Sequence, residues 1–387
     1  MCDIVSVIIT IFNGEKWVES CFKSILSQKI SLDSSEDYNH NCDCNSHEIS
    51  YQKLNHKKCN TYFYTIPLIK IELCIFDDAS TDNTLKLLNQ WEEIFKNHNI
   101  DVKIFRNTTG KPKGVGYGRN VAIKKSIGEY LCFQDIDDIM FPNRIINQYI
   151  LAKENKNSII GSKFIRIPEN STNRFQRWAN NLPESKLNLQ VYTSNGPTII
   201  MPTWFCHRYV YDAVPDGFSE NGKGTPEDLI FFYKHLDNGG NVIRSNEILL
   251  IYRYHLSATT FSVSEETIWQ IRLKRLINNV LCTKEWLNGF TIWNAGKQGR
   301  KLFRDIPDEF KRIVRAFCDV DQKKIDQKYN YFDKNKRQVT YSIPIIHFEK
   351  IKPPIIICMK LDLTNGIFEK NLKSLNLNEG KDYIIFS

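Results

Sequence analysis

Short apolar runs punctuate the first third of the chain, at residues 5–10, 73–76, 102–106 and 130–133, and each breaks off into Asn, Gly or Asp. Continuous runs of this length predict strands buried on both faces. Between them the period changes. Trp17, Val18, Cys21, Phe22, Ile25 and Leu26 recur at helical spacing, as do Leu85, Leu87, Leu88, Trp91, Ile94 and Phe95. A third helix is expected to begin near Arg119, after a Gly- and Lys-rich loop over 108–118. The resulting β-α-β-α-β-α-β order implies a mainly parallel sheet with ligands at the carboxyl ends of its strands. Farther on, the pattern predicts a helix over 143–155, a strand over 159–167, a return to the core at 198–205, a helix over 229–236 and a strand over 248–254. Residues 31–65 break the pattern, being rich in Ser, Asn, His and Lys, and read as a polar surface insertion without order of its own. Cys42, Cys44 and Cys59 with His40, His47 and His56 fall in that insertion at spacings that match no standard zinc pattern.

The chemistry gathers where the strands end. In YLCFQDIDDIMFP (130–142) an apolar run delivers Asp135, Asp137 and Asp138 together. Along an extended segment residues two apart share a face, so Asp135 and Asp137 can converge on one hard divalent ion, Mg²⁺ or Mn²⁺, while Ile136 points into the core. The plain alternative is a solvated acidic turn leading into the next helix. Asp77 and Asp78 end the second predicted strand, with Thr81 or Asp82 placed to cap the helix that follows. Gly114, Gly116 and Gly118 with Lys111, Lys113 and Arg119 have a composition suited to bringing amides and cations near phosphate, or simply that of a surface loop. Glu227 and Asp228 open a helix, where the dipole favours acids. His255 follows Tyr252, Arg253 and Tyr254 in a polar region, as a structural histidine or a third metal ligand. Arg166, Arg174, Arg177 and Trp178 form a basic and aromatic segment, an acceptor-side surface or a solvated loop.

Composition narrows the classes. The chain has 387 residues, 42% hydrophobic and 25% charged, which fits an ordinary globular protein with two or more domains and excludes a disordered one. MCDIVSVIITIF carries no basic leader or cleavage site, and no apolar run approaches a bilayer span, so a cytoplasmic protein without membrane segments is expected. The odd count of 11 cysteines suits reduced thiols better than a disulfide framework. A net charge of +8 permits an anionic partner such as RNA without demanding one.

Taken in order, VSVIITIFNGEKWVESCFKSILSQ, IELCIFDDASTDNT, GYGRNVAI, FQDIDD and GFSENGKGTPEDL resemble the inverting glycosyltransferases of family 2, which have a GT-A fold. The resemblance covers residues 1–285 apart from the insertion. It implies an α/β nucleotide-diphospho-sugar transferase domain in which Thr10, Asn13 and Asp77 or Asp78 contact the nucleoside of the donor. It also implies that Asp135 and Asp137 hold the sugar nucleotide and its metal, that Asp228 of the Glu227–Asp228 pair is the general base, and that His255 is a late metal-site histidine. Arg119 would then stabilise charge on the departing diphosphate.

Residues 289–387 read as a separate small Rossmann-like α/β domain. Strand 290–293, the turn from Asn294 to Arg300, a helix from Lys301 and a strand over 316–318 ending in Asp319 and Asp321 follow a dinucleotide-binding order, with Asn294 where the first glycine would stand. A docking or acceptor-binding unit is the favoured reading. Lys297, Arg300, Lys301, Arg304, Lys311, Arg312 and Arg315 would make its helix surface basic, as an RNA backbone favours. The combination of the transferase domain with FTIWNAGKQGRKLF, AFCDVDQKKI, IPIIHFEK and PPIIICMKLDL resembles the queuosine-tRNA galactosyltransferases. That resemblance implies UDP-galactose as donor and queuosine in a tRNA anticodon as acceptor. A transferase of N-acetylglucosamine or another sugar to a glycan or protein, and an inactive nucleotide-sugar or RNA-binding protein, are the alternatives.

Overall fold

The structure is a computed structural model, and it describes residues 2–30 and 69–387. The expected insertion at 31–65, with its cysteines and histidines, lies outside the described residues. The first unit runs β1 (Ile4–Ile11), α1 (Glu15–Leu26), β2 (Lys70–Asp77), α2 (Thr84–Asn97), β3 (Asp101–Arg106), α3 (Val115–Lys125), β4 (Tyr130–Phe133), β5 (Ile139–Met140), α4 (Arg144–Glu154), β6 (Ser158–Ile167), α5 (Asn173–Asn181), β7 (Phe205–His207), α6 (Tyr209–Asp212), α7 (Glu227–Asp237) and β8 (Asn241–Arg253). Its strands form one sheet in the order β3-β2-β1-β4-β7-β6-β8-β5. β3, β2, β1 and β4 are parallel, and β7 runs antiparallel to both β4 and β6.

Register explains why the polar residues meet. Ile11 lies opposite Asp77, Asp77 opposite Arg106, and Ile8 opposite Phe133, so the loops that follow β1, β2 and β4 leave from one edge. The continuous apolar strands are enclosed as their pattern predicts, with Val7, Ile9, Leu73, Ile75, Leu131 and Cys132 fully buried between helical layers.

Two expectations change. The helix placed near Arg119 begins at Val115, so Gly116 and Gly118 are helical rather than part of a loop. Their small size serves packing: a Cβ on Gly116 would lie 2.0 Å from the Ser219 carbonyl oxygen, and one on Gly118 2.7 Å from Phe76 and Thr10. Close approach of α3 to the sheet and to the loop before α7 outweighs glycine's low helix propensity, which costs about 1 kcal/mol per residue. Trp178, expected at a basic surface, is buried in the core and donates its Nε1–H to Gln190.

The second unit follows α8 (Glu265–Leu276) and α9 (Lys284–Leu287). It comprises β9 (Phe290–Trp293), α10 (Lys297–Asp305), α11 (Asp308–Lys311), β10 (Val314–Asp319), β11 (Lys328–Asp333), β12 (Gln338–His347), β13 (Ile355–Ile357), α12 (Ile367–Ser374) and β14 (Tyr383–Ile385). Its sheet has the order β11-β12-β10-β9-β13-β14. α8 ties the units together. Trp269 packs edge-on to Phe386, Arg272 donates to the Ser387 carbonyl, and one apolar cluster runs from Phe133 and Phe231 through Leu276 to Phe290 and Ile384. Among the described residues no helix is long and apolar enough to cross a membrane.

Three of the seven cations expected on a basic helix surface in this unit are engaged internally. Lys301 pairs with Glu266 and Asp305, Lys311 is buried against Asp308, and Arg315 donates to the carbonyls of Pro353 and Asn288. α10 also begins at Lys297 rather than at Lys301.

Candidate active site

The acids after β4 meet through a turn. The strand ends at Phe133, and the Asp138 amide donates to the Asp135 carbonyl at 3.1 Å, so residues 135–138 fold back instead of extending. This reversal brings in a carboxylate that the extended reading leaves out. Asp135, Asp137 and Asp138 each offer an oxygen within 4.8 Å of the others. Ile136 inserts into the core beside Gly14, as alternation predicts.

Buried cations lock the turn. Arg144 is fully buried and donates to Gln134 Oε1, the Phe133 and Pro202 carbonyls and Gln148 Oε1, while Gln134 donates back to the Asp135 carbonyl. Arg253, at the end of β8, donates its backbone N–H to Asp138 Oδ1 (2.9 Å), one terminal nitrogen to the Asp137 carbonyl (2.7 Å) and the other to Ser20 Oγ (3.1 Å). The next turn delivers His255, whose Nε2 lies 2.7 Å from Asp137 Oδ2, and Trp17 packs beside that imidazole with ring centres 5.3 Å apart. Arg253 and Trp17 were not singled out in the sequence; their signal is only that a cation and an aromatic ring precede or adjoin candidate ligands.

The donor set fits a hard divalent ion. Asp138 is fully buried and its Oδ2 has no partner, an arrangement that costs free energy unless a proton or cation compensates it. Burial, then Asp137 and Asp135, pushes the Asp138 carboxyl well up from its ordinary range; burial likewise raises Asp135, against the pull of Arg119. Three carboxylates around one point, with the His255 imidazole beside Asp137, supply oxygens and a nearby nitrogen of the kind that Mg²⁺ or Mn²⁺ takes.

α7 faces this cluster. Arg119 of α3, itself buried, donates to Glu227 Oε1 at 2.5 Å and to Asp135 Oδ1 at 3.1 Å, so one guanidinium joins the metal-side acids to the helix start. Each terminal nitrogen uses one of its two N–H groups in these contacts. Asp228 sits next to that junction. Enclosure in the cleft, and then the charge of Glu227, pushes its carboxyl up to about 7, with Asp135 adding to the rise and Arg119 and the Leu229 amide opposing it. A carboxyl poised there exchanges protons near neutrality.

The nucleoside-side candidates hold one another. Asn13, at φ +52°, accepts the Thr81 amide on its side chain, and its own amide donates to Ser80 Oγ. Asp77 is buried, accepting the Ser80 amide on Oδ1 with Arg106 3.3 Å from Oδ2. Asp78 accepts from Asn107 Nδ2 and from the amides of Lys113 and Gly114, pinning the Lys-rich loop to β2. The N-cap of α2 is Asn83 rather than Asp82 or Thr81; Asp82, one residue earlier, accepts the Thr84 amide and also the Glu15 amide at the start of α1. Thr10 lies on β1 beneath Gly118.

Residues 59–214 match the family model described as Glycosyl transferase family 2. The matched stretch contains Asp77, Asp78, Arg119, Asp135 and Asp137 and ends before Asp228. The α/β fold is of the GT-A class, with the strand order given above. A poly(ribitol-phosphate) beta-glucosyltransferase of Bacillus spizizenii is 27% identical over 155 residues, 40% of this chain and 18% of that protein. An uncharacterized glycosyltransferase of Rickettsia felis is 25% identical over 262 residues, 66% of this chain and 35% of that protein. Chondroitin synthase of Escherichia coli is 28% identical over 39% of this chain and 20% of its own length. Among solved structures, S. aureus TarS 1-349 in complex with UDP-GlcNAc is similar, with 17% identity, a TM-score of 0.48, and coverage of 72% of this chain and 67% of that one. The chain thus spans about a fifth to a third of the length of these curated relatives.

Proposed function

We propose that the protein is a metal-dependent, inverting glycosyltransferase that moves galactose from UDP-galactose to a hydroxyl of queuosine in a tRNA anticodon. The observation that carries the transferase reading is the single junction at Arg119, which ties the Asp135–Asp137–Asp138–His255 group to the Glu227–Asp228 helix start. The donor sugar and the acceptor rest on the resemblance of the motifs at 290–303, 316–325, 343–350 and 353–363.

In this mechanism the Asp228 carboxylate accepts the proton of the acceptor hydroxyl as that oxygen attacks the anomeric carbon. The bond to the diphosphate breaks on the opposite face, and its electron pair leaves with UDP. One displacement inverts the anomeric centre without a covalent sugar intermediate. A divalent ion held by Asp135, Asp137, Asp138 and His255 would neutralise charge on the leaving diphosphate. Arg119 holds Glu227 in an ion pair beside Asp228. Asn13, Asp77 and Asp78 shape the loops that receive the nucleoside.

The test is transfer of label from UDP-galactose to queuosine-containing tRNA, with tRNA lacking queuosine in parallel. Label confined to the first supports the reading; label in neither removes the acceptor. A second reading, transfer from UDP-N-acetylglucosamine to a glycan, draws support from the 35% identity over 72 residues to the poly(ribitol-phosphate) beta-N-acetylglucosaminyltransferase TarS of Staphylococcus aureus. UDP-N-acetylglucosamine as the better donor in the same assay would favour it.

A further inference from the structure

Arg166, beside the cleft, is held by rings rather than by acids. It lies at the carboxyl end of β6, opposite Tyr252 of β8, on the side of the cleft that continues to His255. Its guanidinium carbon is 4.1 Å from the Tyr252 ring centre, 5.4 Å from that of Tyr254 and 5.5 Å from that of Phe175. Arg144 and Arg253 spend their nitrogens on named acceptors, and Arg244 and Arg272, whose Nε atoms are likewise unpartnered, still donate a terminal nitrogen to a carbonyl; the Arg166 guanidinium, like that of Arg300 in the second unit, has neither an ion pair nor a side-chain hydrogen bond among the described residues. Rings fix the plane of this cation and leave its charge uncompensated.

The pattern continues outward. Phe175 also lines a cleft between the two units, whose walls include Arg174 on α5 and Lys360 after β13. Neither of those cations has an ion pair among the described residues, and the acid on that wall, Asp362, lies 3.9 Å from Arg177. On the other side, Tyr254 meets Phe261 edge-on at 5.7 Å, and Phe261 is 53% exposed. Cations without ion pairs beside half-buried rings and one exposed ring are a composition that binds unpaired nucleotides, the cations on phosphates and the rings against bases.

We propose that Arg166, Arg174 and Lys360 form a track for the phosphodiester backbone of a single-stranded RNA acceptor, with Tyr254 and Phe261 stacking on an unpaired base beside the transfer site. The proposal rests on the RNA-acceptor reading above. A poly(ribitol phosphate) would offer the same phosphodiesters but no base for Phe261, which favours RNA.

The full chain is titrated with a fluorescent anticodon stem-loop RNA across 50 to 200 mM salt, roughly the span over which phosphate contacts register. Arg174→Ala combined with Lys360→Ala should weaken binding and flatten the log-affinity against log-salt slope by about 1.4, about 0.7 for each lost contact. Phe261→Ala should weaken binding about tenfold with the slope unchanged. Hydrolysis of UDP-sugar without RNA should be the same in all variants, and equal melting temperatures show that each is folded. RNA binding by wild type with no change in affinity or slope in the variants overturns the track while the RNA acceptor stands. No RNA binding by wild type overturns both. Equal loss toward poly(ribitol phosphate) and RNA in the double variant, with no effect of Phe261→Ala, overturns the assignment to RNA.

Discussion

Of the strand ends that carry acids after an apolar run, those of β10 and β4 have opposite fates. After β10, Asp319 accepts the amides of Ala295, Val320 and Asp321 and the Lys324 ammonium, while Trp293 stacks on Phe348 and packs edge-on to Phe368. Every oxygen is used and the strand ends are roofed by rings. After β4, three carboxylates share one turn, Asp138 keeps an unpartnered oxygen, and Asp135 and Asp228 are raised by their surroundings. An acid at a strand's end therefore marks a ligand site only where its hydrogen-bonding capacity is left over. Asp319, at the end of β10 in the second unit, has no such surplus.

The contrast can be broken most forcefully at the metal-side acids. Asp137→Asn should lower UDP-sugar turnover by about 1,000-fold or more, and chelation of wild type should do the same reversibly, because a carboxylate ligand and the His255 partner are lost together. Next comes pH. Asp228 must be ionised to accept a proton, so the rate should rise about tenfold per pH unit and level off above about 7. A rate that falls with rising pH across this range would exclude a carboxylate base.

Stability sharpens the comparison further. Asp135 and Asp138 have carboxyls raised in the folded state, so their contribution favours folding below the ordinary carboxylate range and is lost as pH rises through the raised values. The metal-free protein should therefore melt lower at pH 8 than at pH 5.5, all else equal. A fixed Mn²⁺ concentration, about 100 times its Kd at pH 5.5, should add about 2.7 kcal/mol there and more at pH 8, where its Kd is lower. Calorimetry with and without the ion checks both signs. In the second unit Asp319→Asn should cost about 1–3 kcal/mol by orphaning loop amides, yet leave sugar transfer in the surviving folded protein unchanged.

The first sheet was readable because strands buried on both faces leave unbroken apolar runs, and register then carries their loops to one edge. Two features were not. The helix from Val115 hides behind glycines, whose packing against Ser219 and Phe76 depends on residues about 100 positions away or on another strand. The third carboxylate, Asp138, was hidden by the turn, since alternation along an extended chain sends it to the wrong face. Arg119 shows the same limit: its charge was visible, but its two partners, Asp135 and Glu227, come from separate elements. Such pairings arise only after the chain has folded.

The account turns on Asp228 as the base beside a preformed donor site. Asp228→Asn, assayed for UDP binding with Mn²⁺ and for sugar transfer in one preparation, tests this directly. Binding should stay within about twofold of wild type while transfer falls about 100- to 10,000-fold, the contribution of a positioned base. Transfer at the wild-type rate with intact binding would contradict it.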